Sequence, residues 1–275
     1  FEFNQLDINA VFLSCVLPER ISFPIIRIAA FTFLFFFFID SYKFMNFKNK
    51  LISGVFIKRY KRFLVDIKIK KKLVTAHCPN TGSMKGLLKA GNKVWLTKSA
   101  NPKRKLKYTL EIIEDGGKKV GVNTHSANKI VLDALENNRF KEFDSNYIIK
   151  REVKFGSNTR FDFLIKKSSY KAFLEVKNVT LSRKNRIAEF PDAVTERGAK
   201  HIQELLKASK EGFKIFLVYI IQRNDCKKFS IASDIDPNYW KLLSKAIKKK
   251  LKIICYDCKF STKGIKVNKK IKIKF

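Results

Sequence analysis

Arg160-Phe-Asp-Phe-Leu-Ile-Lys-Lys-Ser-Ser-Tyr-Lys-Ala-Phe-Leu-Glu-Val-Lys177 is the stretch whose reading decides the fold. A two-residue turn at Ser168-Ser169 folds it into a hairpin of two strands. Counting outward from that turn sets Asp162 opposite Glu175. Side chains alternate between the faces of a strand, so Asp162, Glu175 and Lys177 share one face of the hairpin. Phe161, Phe163, Leu174 and Val176 share the other and are candidates for a core. This register assumes that no bulge interrupts either strand.

Two carboxylates one strand apart suit a hard cation such as Mg2+, with waters completing its octahedral shell. A lysine two residues further on sits where it can orient a cation-bound water or offset developing negative charge. An acid on one strand followed by acid-x-lysine on the next is the logic of a PD-(D/E)xK nuclease site. The competing reading is an ordinary cross-strand ion pair on a solvated face. Acid-x-lysine is also cheap in this chain: it recurs at Asp66-Ile-Lys68, Glu152-Val-Lys154, Asp225-Cys-Lys227 and Asp257-Cys-Lys259. Only the Glu175 instance joins an apolar strand to an acid facing it across a tight turn.

Around this hairpin lies an unusually basic chain. Its 58 Lys and Arg against 24 Asp and Glu give a formal net charge of +34 over 275 residues. Such a charge repels itself in a compact fold, and a polyanion relieves it, so a nucleic-acid partner is expected. A compositional drift could exchange Arg for Lys, but it leaves the shortage of acids unexplained. Five cysteines, an odd number, argue against a secreted disulfide framework and for a reducing, cytoplasmic setting. Cys255-Tyr-Asp-Cys258 lies in a run that reads as a strand. That puts its thiols on opposite faces and argues against zinc.

Residues 1–44 differ from the rest. They hold 11 of the 26 Phe residues, and their three basic and four acidic residues give a net charge of −1. The apolar run Ile28 to Ile39 has 12 residues, where a membrane-spanning helix needs about 20. The segment reads as upstream sequence translated ahead of a natural start at Met45, as an interfacial anchor, or as a true extension. The first is favoured, and no membrane partner is expected once residues 1–44 are set aside.

From Met45 onward, β-type runs at 50–57, 62–69, 73–78, 93–98 and 107–113 predict a small barrel with an OB-fold as leading candidate. Asp115-Gly-Gly117 is a turn near the expected boundary. An amphipathic helix at 126–137 follows, with Ile130, Val131, Ala134 and Leu135 on one side. Strands at 147–155, 159–166 and 172–179 come next. A helix at 193–211, a buried strand at 213–221, a helix at 237–250 and a strand from Leu251 complete an α/β layered domain.

Three blocks resemble the sugar fermentation stimulation protein (SfsA) family: Ala76-His-Cys-Pro-Asn-Thr-Gly-Ser-Met84, Glu175-Val-Lys-Asn-Val-Thr180 and Phe190-Pro-Asp-Ala-Val-Thr-Glu-Arg-Gly-Ala-Lys-His201. Asn101-Pro-Lys-Arg-Lys105 and Gly121-Val-Asn-Thr124 are similar to further family segments. The resemblance implies an OB-like barrel over 45–117 and a PD-(D/E)xK nuclease-like α/β domain over 118–275. It also implies DNA binding, and a regulatory link to sugar utilisation. By that resemblance Asp162, Glu175 and Lys177 match the nuclease-like motif.

Candidate DNA contacts are Asn80, Thr81 and Ser83 in a donor-rich turn, and Lys103, Arg104 and Lys105. In the third block Asp192 or Thr195 can cap a helix whose first turns carry Glu196, Arg197, Lys200 and His201 as accessory groups. His201 is a candidate proton shuttle, since imidazole titrates near neutrality.

Overall fold

The computed structural model describes residues 45–275 apart from Lys48, Asn158 and Asn185. The readings of residues 1–44 fall outside the described residues. The described chain begins in β1 (Met45–Asn46), which pairs antiparallel with β16 (Gly264–Lys270) near the far end of the sequence. Gly264 makes that pairing possible, because a Cβ there would run into the Met45 carbonyl.

The chain then enters the barrel. β2 (Ile52–Tyr60), β3 (Leu64–Ile69), β4 (Lys72–His77), β5 (Lys93–Lys98) and β6 (Tyr108–Asp115) pair in the order β4-β3-β2-β5-β6. A parallel contact of His77 with Thr109 closes the ring into a five-stranded OB barrel. The alternation that marked these runs as strands sends Phe56, Val65, Ile67, Val94 and Leu96 inward, where they are at most 1% exposed. Asp115-Gly-Gly117 is a hairpin turn, and β7 (Lys118–Gly121) keeps the chain on the barrel sheet as far as Gly121.

The α/β domain is built on a seven-stranded sheet. Its remaining strands are β8 (Ile148–Phe155), β9 (Thr159–Lys167), β10 (Tyr170–Val179), β13 (Lys214–Ile221) and β15 (Lys252–Phe260). The full order is β1-β16-β15-β13-β10-β9-β8. β10 and β13 run parallel, as do β13 and β15. Every residue of β13 after Lys214 is buried, the continuous apolar run that a strand covered on both faces requires.

On one face lies α1 (His125–Glu136), which buries Ile130, Val131 and Ala134 against Phe163, Leu174, Val176 and Val218. On the other lie α2 (Glu196–Lys210) and α3 (Pro237–Lys248), which bury Ile202, Leu205 and Leu243 against Leu217 and Tyr219. Cys255 faces the second core and Cys258 the first, on opposite sides of the sheet.

A smaller sheet consists of β11 (Leu181–Lys184), β12 (Ile187–Phe190), β14 (Lys228–Ile231) and β17 (Lys272–Lys274), paired in that order. It is held to the barrel by Arg223, which is 3% exposed. Its guanidinium donates to the Thr180 carbonyl at 2.9 Å, to Asp115 at 3.1 Å and to Asp225 at 2.7 Å. Each N–H that reaches a carboxylate there is a charge-assisted bond, about twice as strong as a neutral one.

The hairpin turns at Ser168-Ser169, and Phe163 pairs with Leu174 as that turn demands. The expectation that Phe161 shares a face with Phe163 does not hold. Phe161 packs in the second core with Phe173 and Tyr219, whereas Phe163 packs in the first. The β9–β10 ladder ends at the Phe163–Leu174 pair, and beyond it the Asp162 carboxylate accepts the Val176 N–H at 2.7 Å. A side chain has replaced the backbone partner, and the alternation of faces breaks across that point.

Candidate functional site

Glu175 stands in the middle of β10, an interior strand of the sheet, and is 3% exposed. Its Oε1 accepts from Lys177 Nζ at 2.9 Å and meets His201 Nδ1 from α2 in a short contact. Lys177 Nζ also lies 3.4 Å from that imidazole nitrogen. Glu175 Oε2 is buried with no hydrogen-bond partner. A buried carboxylate oxygen left without a hydrogen bond carries a desolvation penalty. Burial pushes the Glu175 carboxyl up, but the Lys177 charge and the bonds from His201 outweigh it and hold it below its ordinary value.

Asp162 enters from the neighbouring strand. Its Oδ2 takes the Val176 N–H and its Oδ1 takes Asn128 Nδ2 of α1 at 2.7 Å. Burial, and then the Glu175 charge, push the Asp162 carboxyl up to about 7. Two neighbouring carboxylates with opposite shifts are the signature of a pair sharing one site. The donor set fits a small hard cation, since one or two carboxylates with waters suffice for Mg2+. Among the described residues no cluster of three or more His, Cys, Asp and Glu side chains has the geometry of a metal site.

These groups line a cleft of about 770 Å³ between the barrel and the α/β domain. Its barrel wall is the 79–83 turn, with Arg59 and Arg62 of β2 and the loop after it. Arg59 fixes that turn by donating to the Asn80 carbonyl at 2.6 Å and the Gly82 carbonyl at 3.0 Å. On the opposite wall Asp192 accepts from Met84 N at 3.0 Å, and Ser83 Oγ donates to the Asp192 carbonyl at 2.7 Å. Gly82 permits this approach, because a Cβ would stand 2.7 Å from the Asp192 carboxylate.

The fold gives several expected contacts another task. Asn80 is buried, with its amide donating to the Val122 carbonyl and its oxygen accepting from Gly82 N. The Ser83 hydroxyl is spent on Asp192, while Thr81 remains exposed on the cleft wall. Lys103, Arg104 and Lys105 lie outside this cleft. Arg104 donates to Thr109 Oγ1 and lines a separate cavity with His77 and His125.

Thr195 caps α2 by accepting from Gly198 N at 3.0 Å. That cap leaves Glu196 and Arg197 exposed on the cleft rim and turns His201 inward. Lys200 points to another surface, beside Lys154 and Glu204. Asn128 and Asp192 complete the site in ways no sequence pattern marked. Asn128 belongs to a helix distant in sequence from the hairpin, and Asp192 reads from its neighbours as no more than a helix cap.

An OB barrel followed by an α/β domain, with the Asp162–Glu175 carboxylate pair facing the cleft between them, defines the class. Residues 57–122 match the SfsA N-terminal OB domain, and residues 125–264 match the sugar fermentation stimulation protein RE domain. The chain belongs to the sugar fermentation stimulation protein (SfsA) family. It is 54% identical over 229 residues to the sugar fermentation stimulation protein homolog of Pelagibacter ubique, covering 83% of this chain and 99% of that one. The homolog of Rhodospirillum centenum is 41% identical over 231 residues, with the same coverage. A solved structure of Pyrococcus furiosus SfsA in complex with Ca2+ superposes with a TM-score of 0.76 at 28% identity, covering 85% of this chain and 99% of that one. Among the described residues no helix is long and apolar enough to cross a membrane.

Proposed function

We propose that this protein binds DNA in the interdomain cleft and hydrolyses a phosphodiester there, with a divalent cation of the Mg2+ type held by Asp162 and Glu175. The observation that carries this reading is the buried, partnerless Glu175 Oε2 beside an Asp162 carboxyl raised to about 7. When bound, the cation would neutralise the pair and polarise a phosphoryl oxygen. Lys177 holds a positive charge at the same carboxylate, where it can stabilise charge that develops on an attacking or leaving oxygen. Asn128 and the Val176 N–H hold Asp162 in place from two directions. The Ca2+ of the Pyrococcus relative is a cation of the same hard, oxygen-seeking kind. The net charge of +34 supports a polyanionic substrate, and the four buried free thiols among the described residues fit a cytoplasmic setting.

Binding without cleavage, in a role that regulates sugar utilisation, is the second reading. The Lys177 ammonium favours it, because that group is already engaged by Glu175 and His201.

Calorimetric Mg2+ titration and a plasmid-cleavage assay test both readings. Asp162→Ala and Glu175→Ala are expected to abolish the Mg2+ signal while DNA affinity stays equal or rises, since negative charge beside a polyanion is removed. Lys177→Ala is expected to keep the Mg2+ signal and lose cleavage. Unchanged titrations in both carboxylate variants would reduce the trio to an ion pair. Cation binding without cleavage of any DNA form selects the second reading.

A further inference from the structure

Behind the cleft, β11 and the loops around it form a second concave surface of about 620 Å³. Five cationic side chains converge on it from separate segments: Lys118, Lys184, Arg186, Lys227 and Lys269. All five are exposed, and none of them forms an ion pair among the described residues. The carboxylates that line this surface are already engaged by an arginine. Asp115 and Asp225 are both bound by buried Arg223, and Glu189 and Asp234 are both bound by Arg183. Each arginine faces two carboxylates and each cluster keeps a net charge of −1, so the five cations outnumber that residual negative charge by three. The Arg186 carbonyl accepts from Lys227 N at 2.8 Å, which fixes two of the five relative to each other.

This surface is continuous with the cleft. Thr180 and Leu181 line the cleft, and the next residues, Ser182 to Lys184, line the basic concavity. Lys184 is seven residues on from Lys177, and because the chain passes from one sheet to the other between them, the two lie at most about 23 Å apart at the ~3.3 Å rise of a strand. That is roughly seven base pairs of duplex at ~3.4 Å each.

We infer that this concavity is a second phosphate-binding site, which takes the backbone of a DNA duplex within about seven base pairs of the point where it enters the cleft. The inference rests on the DNA-binding reading above. It gives the substrate a minimum length and the protein a polarity along it.

The test measures affinity for a 24-base-pair duplex across a salt series. The variant carries Lys118→Gln, Lys184→Gln, Arg186→Gln, Lys227→Gln and Lys269→Gln. A matched control neutralises five exposed lysines of α3 and its end: Lys241, Lys245, Lys248, Lys249 and Lys250. If all five cations meet phosphates, the log–log salt slope of the site variant becomes shallower by about 4.5, at ~0.9 per contact, and the control changes far less. Equal losses in both variants would show that charge anywhere suffices, and an unchanged slope in the site variant would likewise overturn the inference. Failure of the wild type to bind duplex at about 50 mM salt would instead overturn the DNA-binding reading itself. All substituted side chains are exposed, and a thermal melt matching the wild type excludes loss of folding as the cause.

Discussion

Arg223 and Glu175 each sit at the centre of a buried charge cluster, and the two clusters end in different electrostatic states. Arg223 spends its guanidinium on Asp115, Asp225 and the Thr180 carbonyl. Glu175 draws two nitrogen groups to one oxygen and leaves the other bare, and its neighbour Asp162 is held up to about 7. In the first cluster each of the three guanidinium nitrogens donates to a carboxylate or a carbonyl, which is what fastening the barrel to the sheet requires. The second is incomplete as the chain alone builds it. Buried donors that are all used point to architecture, and a carboxylate pair that keeps an unpartnered oxygen on a cleft marks a candidate functional site.

The sharpest way to break this contrast is to truncate both centres. Arg223→Ala strands two carboxylates beneath the barrel and is expected to cost about 3–5 kcal/mol in urea melts. Glu175→Gln keeps the shape and an oxygen that accepts from Lys177, and is expected to cost less than Arg223→Ala. A comparable loss from both would erase the distinction.

A second measurement follows stability against pH without divalent cations. Asp162 holds its proton more tightly folded than unfolded, so between about pH 4 and 7 the native state binds the extra proton. Stability from this group is therefore present at low pH and is lost as pH rises through that window, at up to ~1.4 kcal/mol per pH unit. Asp162→Asn is expected to flatten that slope relative to wild type, and Mg2+ is expected to restore stability at the upper end. Parallel curves with and without the substitution would contradict the assignment.

The smallest expected effect is at Asn128. Its bond favours the ionised form of Asp162, so Asn128→Ala should move the Asp162 midpoint upward by less than about one pH unit, the equivalent of one net hydrogen bond of ~1 kcal/mol. A carboxyl carbon NMR titration reads this directly, and a downward shift would refute it.

What the sequence discloses divides along physical lines. The five barrel strands, the hairpin register and the three helices lie in local patterns, where alternation or 3.6-residue periodicity is carried by neighbouring residues. The sheet β11-β12-β14-β17 is illegible there because its strands have only three or four residues and two of its pairings are parallel and distant in sequence. Phe161 departs from its expected core because the bond from Val176 N to Asp162 ends the ladder, an event no periodicity announces. Asp162, Glu175 and Lys177 can be found from one hairpin. The roles of Asn128 and Asp192 cannot, because each depends on packing between elements far apart in the chain.

The pairing of β1 with β16 has a consequence for how such a gene can be divided. The polypeptide starts its described course on the edge of the α/β sheet, leaves to complete the barrel, and returns. The barrel is thus spliced into its partner's architecture, not threaded ahead of it. A recombination event at the junction near Val122 would carry away the strand that caps the other half's sheet and leave an unpaired edge. Separating the two halves at that point would therefore cost the α/β sheet its edge strand, even though each half has its own core.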